Sequence, residues 1–124
     1  MTEATQLLRQ VHPTWFQEGR VTSQAFKPTA KDNNRLSVYN GDLISASQSW
    51  MHCTIELKNS SIGVIAVTLG ECQIEQLDVE EDMDPFPEHA SIKFEGLSNS
   101  EKESKAKSLR RYAVERDWLY LHSK

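Results

Sequence analysis

The sequence predicts a single α+β domain over residues 1–124, with a mainly antiparallel or mixed sheet packed against two to three helices. Three observations lead to this fold class. The run IGVIAVTL is almost entirely apolar and rich in β-branched residues, as in a central strand covered on both faces. Several shorter stretches alternate with the period of a strand. A capped stretch near the C-terminus carries an apolar stripe at helical spacing.

The first third of the chain is predicted to hold one helix and two short strands. Leu7, Leu8 and Val11 form a small apolar face at helical spacing, which predicts a helix over residues 2–11. Pro13 limits that helix, because the residue before a proline disfavours helical angles. Residues 20–26 and 36–39 read as strands, joined by a polar loop that we interpret as a solvated hairpin connection.

The middle of the chain is predicted to form a helix and then the central strand. Residues 44–57 carry one apolar stripe, and Ser45 or Ser47 can cap the start of this helix. The central strand covers residues 62–69, and Gly70 ends it. Residues 71–79 fit either a helical turn or another strand, and both readings stay open.

The last third is predicted as a loop, a strand and a long helix. The segment EEDMDPFPEH is an acidic loop, and residues 90–94 alternate as a strand. Ser98 and Glu101 match the capping-box pattern and start a helix that runs to about Glu115. The tail DWLYL is predicted to pack back on the domain.

Features of the whole chain predict a cytoplasmic protein without membrane contact. The longest unbroken apolar run, Val64–Val67, is far shorter than a membrane span. The first ten residues lack the basic region and apolar stretch of a signal peptide. Cys53 and Cys72 are isolated in sequence, so we expect reduced thiols.

The charge of the chain is unevenly distributed, and this gives the leading functional hypothesis. Residues 71–95 hold nine acidic and one basic side chain, a net charge of −8. Small acidic proteins that neutralise or escort a larger protein share this size and charge, for example immunity proteins, antitoxins and accessory subunits. We therefore expect a protein-binding module whose acidic surface engages a basic partner. The residues of that surface are Asp78, Glu80, Glu81, Asp82, Asp84 and Glu88.

No specific catalytic, metal or cofactor motif is present in the sequence. The four histidines and two cysteines are scattered, and the neighbours His52 and Cys53 would point about 100° apart on a helix. Ser23 does not lie in the Gly-x-Ser-x-Gly turn of hydrolases, and the five glycines form no phosphate loop. A Cys–His pair brought together by the fold stays open. We predict no metal and no cofactor, and favour a protein that is not an enzyme.

One weak pattern points to an alternative that handles NAD or a nucleotide. The stretches LLRQVHP, GRVTSQAF and RLSVYNG resemble the opening of ADP-ribosyltransferase-type domains. That resemblance implies that Arg9 or His12, together with Ser23, would hold the dinucleotide, with Glu71 or Glu75 as the catalytic glutamate. It also implies that Arg9 and the loop of residues 27–35 line one cleft. The full set of alternative ligand-binding residues is Arg9, His12, Arg20, Ser23, Lys31 and Arg35.

A second alternative is nucleic-acid binding through the basic C-terminal helix. Lys102, Lys105, Lys107, Arg110 and Arg111 occupy most of its non-apolar positions and could contact phosphates. The pI near 5.5 and the acidic segment would repel a long polyanion. We therefore expect nucleic acid to be an unlikely partner.

Overall fold

A computed structural model describes residues 1–122 of the chain. Within that range the main sheet has six strands in the order β6-β7-β4-β1-β5-β8, and every neighbouring pair is antiparallel. A separate two-stranded hairpin pairs β2 with β3. The strands are β1 (Gln6–Gln10), β2 (Phe16–Gln17), β3 (Arg20–Val21), β4 (Arg35–Asn40), β5 (Gly63–Thr68), β6 (Asp78–Glu80), β7 (His89–Lys93) and β8 (Tyr120–Leu121). The predicted α+β fold is confirmed.

Three α-helices pack on this sheet, and the side chains at their N-termini explain where they begin. The helices are α1 (Ala46–Met51), α2 (Leu69–Ile74) and α3 (Asn99–Arg116). Ser45, Thr68 and Ser98 each form a capping box with the residue three positions later, which satisfies backbone N–H groups of the first turn. A π-helical turn, His52–Glu56, continues α1. Short 3-10 helices cover Pro13–Trp15, Ser23–Phe26 and Ala30–Asp32.

The two faces of the sheet are covered differently. On the first face, α3 and the 3-10 helix Ser23–Phe26 bury a continuous core that includes Phe26, Ile65 and Leu109. On the second face, α1 covers only the half made by β1, β5 and β8, around Leu8 and Val64. The other half of the second face, over β4 and β7, carries Ser37, His89 and Ser91 beside the buried ring of Tyr39. This uncovered half is where the candidate site lies.

The strands β1 and β4 separate part-way along their length, and this opens a cleft. Their pairing is limited to Leu7 with Asn40 and Leu8 with Tyr39. On its other side β1 stays paired with β5 as far as Gln10. The backbone pairing of β1 with β4 ends at Leu8. Beyond it, the guanidinium group of Arg9 donates a hydrogen bond to the backbone carbonyl of Ser37 on β4.

Two of the predicted elements near the N-terminus are wrong. Residues 2–11 contain β1 and not a helix, because Leu7 and Leu8 are buried on opposite faces of the sheet. Adjacent apolar residues suit a central strand as well as a helix face, and the surrounding sheet decides between them. Residues 20–26 form only the two-residue strand β3, followed by a 3-10 helix that buries Ala25 and Phe26 under α3.

The other elements were predicted close to their observed positions. The strand over residues 62–69, the strand over 90–94 and the helix from Ser98 correspond to β5, β7 and α3. The ambiguous residues 71–79 divide between α2, which ends at Ile74, and β6. The tail packs back as expected, since Tyr120 and Leu121 extend the sheet beside β5.

Candidate active site

The cleft between β1 and β4 has a volume of about 570 Å³. The π-helical turn after α1 and the loop before β7 form its outer walls. Its lining combines apolar, aromatic and polar side chains, which is typical of sites for small molecules. The lining residues are Leu8, Arg9, Gln10, His12, Trp15, Ser37, Val38, Tyr39, Cys53, Leu57, Lys58, Asn59, Ser60, Pro85, Phe86 and His89.

A hydroxyl, an imidazole and a carboxylate form one hydrogen-bonded chain at the edge of this cleft. Ser37 Oγ lies 3.2 Å from His89 Nε2. The other ring nitrogen, His89 Nδ1, lies 2.5 Å from Asp82 Oδ1. Ser37 is exposed, whereas His89 is 8% exposed. This order of groups is the one that activates a serine hydroxyl in hydrolases.

The register of two neighbouring strands brings Ser37 and His89 together. In the β4–β7 ladder Ser37 lies opposite Ser91, and Tyr39 lies opposite His89. Ser37 and His89 are therefore diagonal neighbours on the same face, within reach of each other's side chains. The loop before β7 turns back, with Met83 N–H donating to His89 O at 3.3 Å. That turn places Asp82 behind the imidazole.

The partners of His89 determine its tautomer and its orientation. An ionised carboxylate only accepts hydrogen bonds, so His89 Nδ1 carries the proton that Asp82 accepts. The neutral ring then has a lone pair on Nε2 that accepts the hydroxyl proton of Ser37. The ring of Phe86 lies perpendicular to the imidazole at a centroid distance of 5.2 Å. The imidazole is therefore held from three sides in the orientation that a general base needs.

The carboxylate of Asp82 is held in its ionised form. Burial by itself would raise the pKa of Asp82, but hydrogen bonds from Ser91 and His89 outweigh burial and bring the pKa below its usual value. Ser91 Oγ donates to Asp82 Oδ2 at 2.7 Å, so each carboxylate oxygen has its own donor. Asp82 can therefore stabilise an imidazolium ion at His89.

The main chain of Ser37 also faces the cleft. Asn40 N–H donates to Glu88 O, and Phe94 N–H donates to Asn34 O, so even-numbered residues of β4 direct their main-chain groups to β7. Ser37 is odd-numbered, and in an antiparallel ladder its N–H and C=O point to the opposite side. There Arg9 Nη1 donates to Ser37 O at 2.8 Å. The Ser37 N–H points into the same gap.

Arg9 occupies the floor of the cleft. Its Nε donates to Ala25 O at 2.7 Å, and its guanidinium lies 5.0 Å from the centre of the Trp15 ring. Burial lowers the pKa of Arg9 to about 10, and the side chain remains a cation at neutral pH.

The two thiols are poorly suited to nucleophilic chemistry. Burial raises the pKa of Cys53 above its usual value, and it raises the pKa of Cys72 to about 12. Both thiols are therefore protonated at neutral pH, whereas a reactive cysteine needs a lowered pKa. Within residues 1–122 neither thiol is hydrogen-bonded to a histidine, although Cys53 lines the same cleft as His12 and His89.

The predicted alternative ligand-binding residues do not form one site. Arg9 and His12 line the cleft, and Ser23 lies in a separate groove beside Trp15. Arg35 is committed to ion pairs with Glu80 and Glu95, each at 2.8 Å. Arg20 and Lys31 are exposed outside the cleft. No residue of the loop of residues 27–35 lines the cleft that holds Arg9, although the charge of Asp32 in that loop acts on the Arg9 guanidinium.

The six carboxylates of the predicted acidic surface divide into two groups. Asp82 belongs to the hydrogen-bonded chain, Glu80 pairs with Arg35, and Glu81 accepts from Asn40 at 3.0 Å. These three have internal partners. Asp78 and Asp84 are exposed, and Glu88 is partly buried at the edge of a groove along α1.

The cations of α3 mostly bind within the protein. Lys102 donates to Asn34 Oδ1, Lys105 to Glu75 O and Arg110 to Val21 O. Each of these bonds fastens α3 to another element. The helix therefore presents fewer free cations to a polyanion than its sequence implies.

Ser37 was missed in the sequence, and His89 was judged to be a scattered histidine. Neither lies in a local motif, because each is one residue of an ordinary strand. The one signal available was the alternation of side chains between the two faces of a strand. It places Ser37 and Tyr39 on one face of β4, and His89 and Ser91 on one face of β7. That signal has meaning only once the two strands are known to pair.

No known family model, curated protein or solved structure matches this chain. Within residues 1–122, no helix combines the length and the apolar content that crossing a bilayer requires. In that same part of the chain, no three His, Cys, Asp or Glu side chains are grouped so as to hold a metal ion.

Proposed function

We propose that this protein is a serine hydrolase that cleaves esters or amides of a small acyl group, with Ser37 as its nucleophile. The observation that carries the proposal is the chain Ser37 Oγ–His89–Asp82, with spacings of 3.2 and 2.5 Å. Ser37 is exposed at the cleft, and the two groups behind it are shielded. The roles follow from geometry and not from sequence order or fold family.

The reaction follows from the positions of the hydrogen atoms. His89 Nε2 takes the hydroxyl proton as Ser37 Oγ attacks the carbonyl carbon, and the leaving alcohol or amine receives that proton when its bond to the acyl carbon breaks. Water then attacks the acyl-serine and gives its proton to His89. The carboxylic acid leaves, and Ser37 Oγ recovers the proton. Asp82 stabilises the imidazolium at both stages.

The negative charge that develops on the carbonyl oxygen needs hydrogen-bond donors. The Ser37 N–H points into the gap between β1 and β4, beside the nucleophile that carries it. Backbone N–H groups in this position stabilise tetrahedral intermediates in serine hydrolases. The Arg9 guanidinium lies next to Ser37 O and adds positive potential to the same region.

Ester hydrolysis tests the proposal directly. We expect the wild-type protein to hydrolyse 4-nitrophenyl butyrate, and Ser37→Ala to reduce kcat/KM by about 10³-fold or more, to the background rate. Ser60→Ala is the matched control, since Ser60 also lines the cleft and has no hydrogen bond to a histidine among residues 1–122. Equal activity in wild type and Ser37→Ala would contradict the proposal.

A protein-binding surface is the second candidate, supported by an exposed apolar groove on the outer side of α1. Leu43 and Ile55 there are 55% and 64% exposed, and Met51 lies between them. Glu56 and Glu88 border the groove, so a partner with basic residues around an apolar contact would fit. This candidate keeps one residue of the predicted acidic surface, Glu88.

Affinity capture from the native lysate tests the second candidate. We expect a stoichiometric protein partner to bind the wild type and to be lost from the double variant Ile55→Asp, Glu88→Lys. Val114→Asp is the matched control, because Val114 is an exposed apolar residue on α3. Capture that is equal for all three proteins, or absent from all three, would count against this surface.

A further inference from the structure

We infer that the cleft binds a substrate with an anionic group, a carboxylate or a phosphate, and that Arg9 holds this group. The inference deepens the proposed function, since the anion would be part of the molecule that Ser37 attacks. It concerns the class of substrate. It rests on the cations that line the cleft, the free hydrogen-bond donors of Arg9 and the hydrogen bond from Arg9 to the carbonyl of Ser37.

The charge of the cleft is opposite to that of the protein as a whole. The chain has a formal net charge of −4. The charged side chains that line the cleft, all within residues 1–122, are Arg9 and Lys58, while the carboxylates of Asp82 and Asp32 lie outside the lining and act on His89 and Arg9. A concave, partly dry site lined by one sign of charge concentrates ligands of the other sign. The two cations of the lining therefore favour an anionic ligand over a cationic one.

Arg9 is a partly buried cation whose hydrogen-bond donors are only partly used. Its Nε and Nη1 donate to the backbone carbonyls of Ala25 and Ser37, which carry no net charge. None of the ion pairs formed by residues 1–122 includes Arg9. A guanidinium has five N–H donors in a planar fork that matches a carboxylate or a phosphate. The remaining donors of Arg9 are the group in this cleft that an anion would engage.

The two hydrogen bonds to backbone carbonyls and the ring of Trp15 hold the guanidinium group in one position before a ligand binds. The ring of Trp15 lies beside it at 5.0 Å, and the carbonyl of Ser37 orients one edge. A preorganised cation loses little freedom on binding, which favours recognition. By contrast Lys58 is exposed, so it adds attraction at the rim without a fixed geometry.

The position of Arg9 limits where the anion can be in the substrate. Arg9 Nη1 is bonded to the carbonyl of the residue that supplies the nucleophile. An anionic group on Arg9 therefore lies a few bonds from the carbonyl that Ser37 attacks. A short acyl chain ending in a carboxylate, or an ester with a phosphate near the cleaved bond, has this spacing.

The test compares two esters that differ by one charged group. Mono-4-nitrophenyl succinate carries a carboxylate where 4-nitrophenyl butyrate carries a methyl group. We expect the wild type to prefer the succinate ester, and Arg9→Gln to lower its kcat/KM by roughly 10- to 100-fold, the range of a charge-assisted hydrogen bond. The butyrate ester should lose less than the succinate ester, because it has no anion for Arg9 to bind, so the ratio of the two kcat/KM values falls in the variant. Arg20→Gln is the matched control, because Arg20 is an exposed arginine outside the cleft, and we expect less than about threefold loss for both esters.

A binding measurement separates this inference from the proposed hydrolysis. Succinate or inorganic phosphate is titrated into the ¹⁵N-labelled Ser37→Ala variant, and the amide chemical shifts are followed by NMR. The double variant Ser37→Ala, Arg9→Gln is titrated in the same way for comparison. Saturable shifts around Arg9 and Trp15 that vanish in the double variant support the inference even if neither ester is hydrolysed. Tighter binding of succinate assigns a carboxylate, and tighter binding of phosphate assigns a phosphate ester. Equal losses for both esters, or no binding to Ser37→Ala, would overturn it.

Discussion

The second face of the sheet has two halves that share strands but differ in what they do. Over β1, β5 and β8 the residues Leu8, Val64 and Ala66 are apolar and lie beneath α1. Over β4 and β7 the corresponding positions are Ser37, His89 and Ser91, beside the buried ring of Tyr39, and α1 packs mainly on the other half. The apolar half contributes packing energy, whereas the polar half holds a hydrogen-bonded chain that ends in the exposed hydroxyl of Ser37. The separation of β1 from β4 is the border between the two halves.

Asp82→Asn should produce the largest effect on the polar half. The neutral amide has no charge to stabilise an imidazolium. Its NH₂ group can also donate to His89 Nδ1, which moves the ring proton to Nε2 and removes the productive tautomer. We expect kcat for 4-nitrophenyl butyrate to fall by roughly 10³-fold, with a change in the pH profile of kcat. Stopped assays from pH 5 to 9 measure both. Unchanged kcat and profile would mean that Asp82 has no positioning role.

Leu8→Ala should have the corresponding large effect on the apolar half, and on stability instead of chemistry. Leu8 is 1% exposed between β1 and α1. Its truncation leaves a cavity and should lower the free energy of unfolding by about 2–5 kcal/mol. Urea denaturation measures the loss. Ser37→Ala is the comparison, with an expected cost below about 0.5 kcal/mol, and equal costs would remove the distinction between the halves.

Ser91→Ala should have an intermediate effect, visible in the dependence of stability on pH. Asp82 has a lowered pKa in the folded protein, so its stabilising contribution is present above the ordinary carboxyl pKa of about 3.9 and is lost as pH falls through the folded value. Without the Ser91 hydroxyl the folded pKa rises towards the ordinary value, so the stabilising contribution is smaller and its loss is complete at a higher pH. Urea midpoints measured from pH 2 to 7 should show this shift. Superimposable curves for wild type and variant would contradict it.

Cys53→Ala should have the smallest effect on activity. Cys53 lines the cleft but belongs to the apolar cluster under α1, and burial raises the pKa of its thiol. We expect kcat/KM for 4-nitrophenyl butyrate to stay within about twofold of wild type, since the thiol has no catalytic role. Steady-state kinetics check this, with iodoacetamide labelling of the native protein as a second readout. Loss of activity together with rapid labelling would favour a thiol enzyme instead.

The sequence was sufficient for the fold class and for most elements, because local patterns determine them. The β-branched run of β5 and the capping box of α3 are both visible within a few residues. The strand β1 was misread because Leu7 and Leu8 fit a helix face and a two-sided strand equally well. The ADP-ribosyltransferase-like pattern implied a ligand role for Arg9 and His12, which line the cleft, and the NAD-handling activity it implied stays a prediction.

The candidate active site could not be predicted from sequence, for a physical reason. Ser37 and His89 are 52 residues apart and meet only through the register of β4 with β7. Asp82 was interpreted as part of an acidic surface because it lies among other carboxylates in the sequence. Its hydrogen bonds to His89 and Ser91 form only because the loop before β7 turns back, which the sequence does not show. A site assembled across strands leaves no spacing in the sequence that a motif could capture.

Reaction with an alkyl fluorophosphonate, followed by mass spectrometry, tests most directly whether Ser37 is an activated nucleophile. Ser37 Oγ would form a bond to phosphorus, fluoride would leave, and the hydroxyl proton would pass to His89 Nε2. We expect one adduct per chain, mapped to Ser37, with a rate that falls sharply in Asp82→Asn. An unlabelled wild-type protein, or an adduct on Ser60 or another serine, would contradict the account.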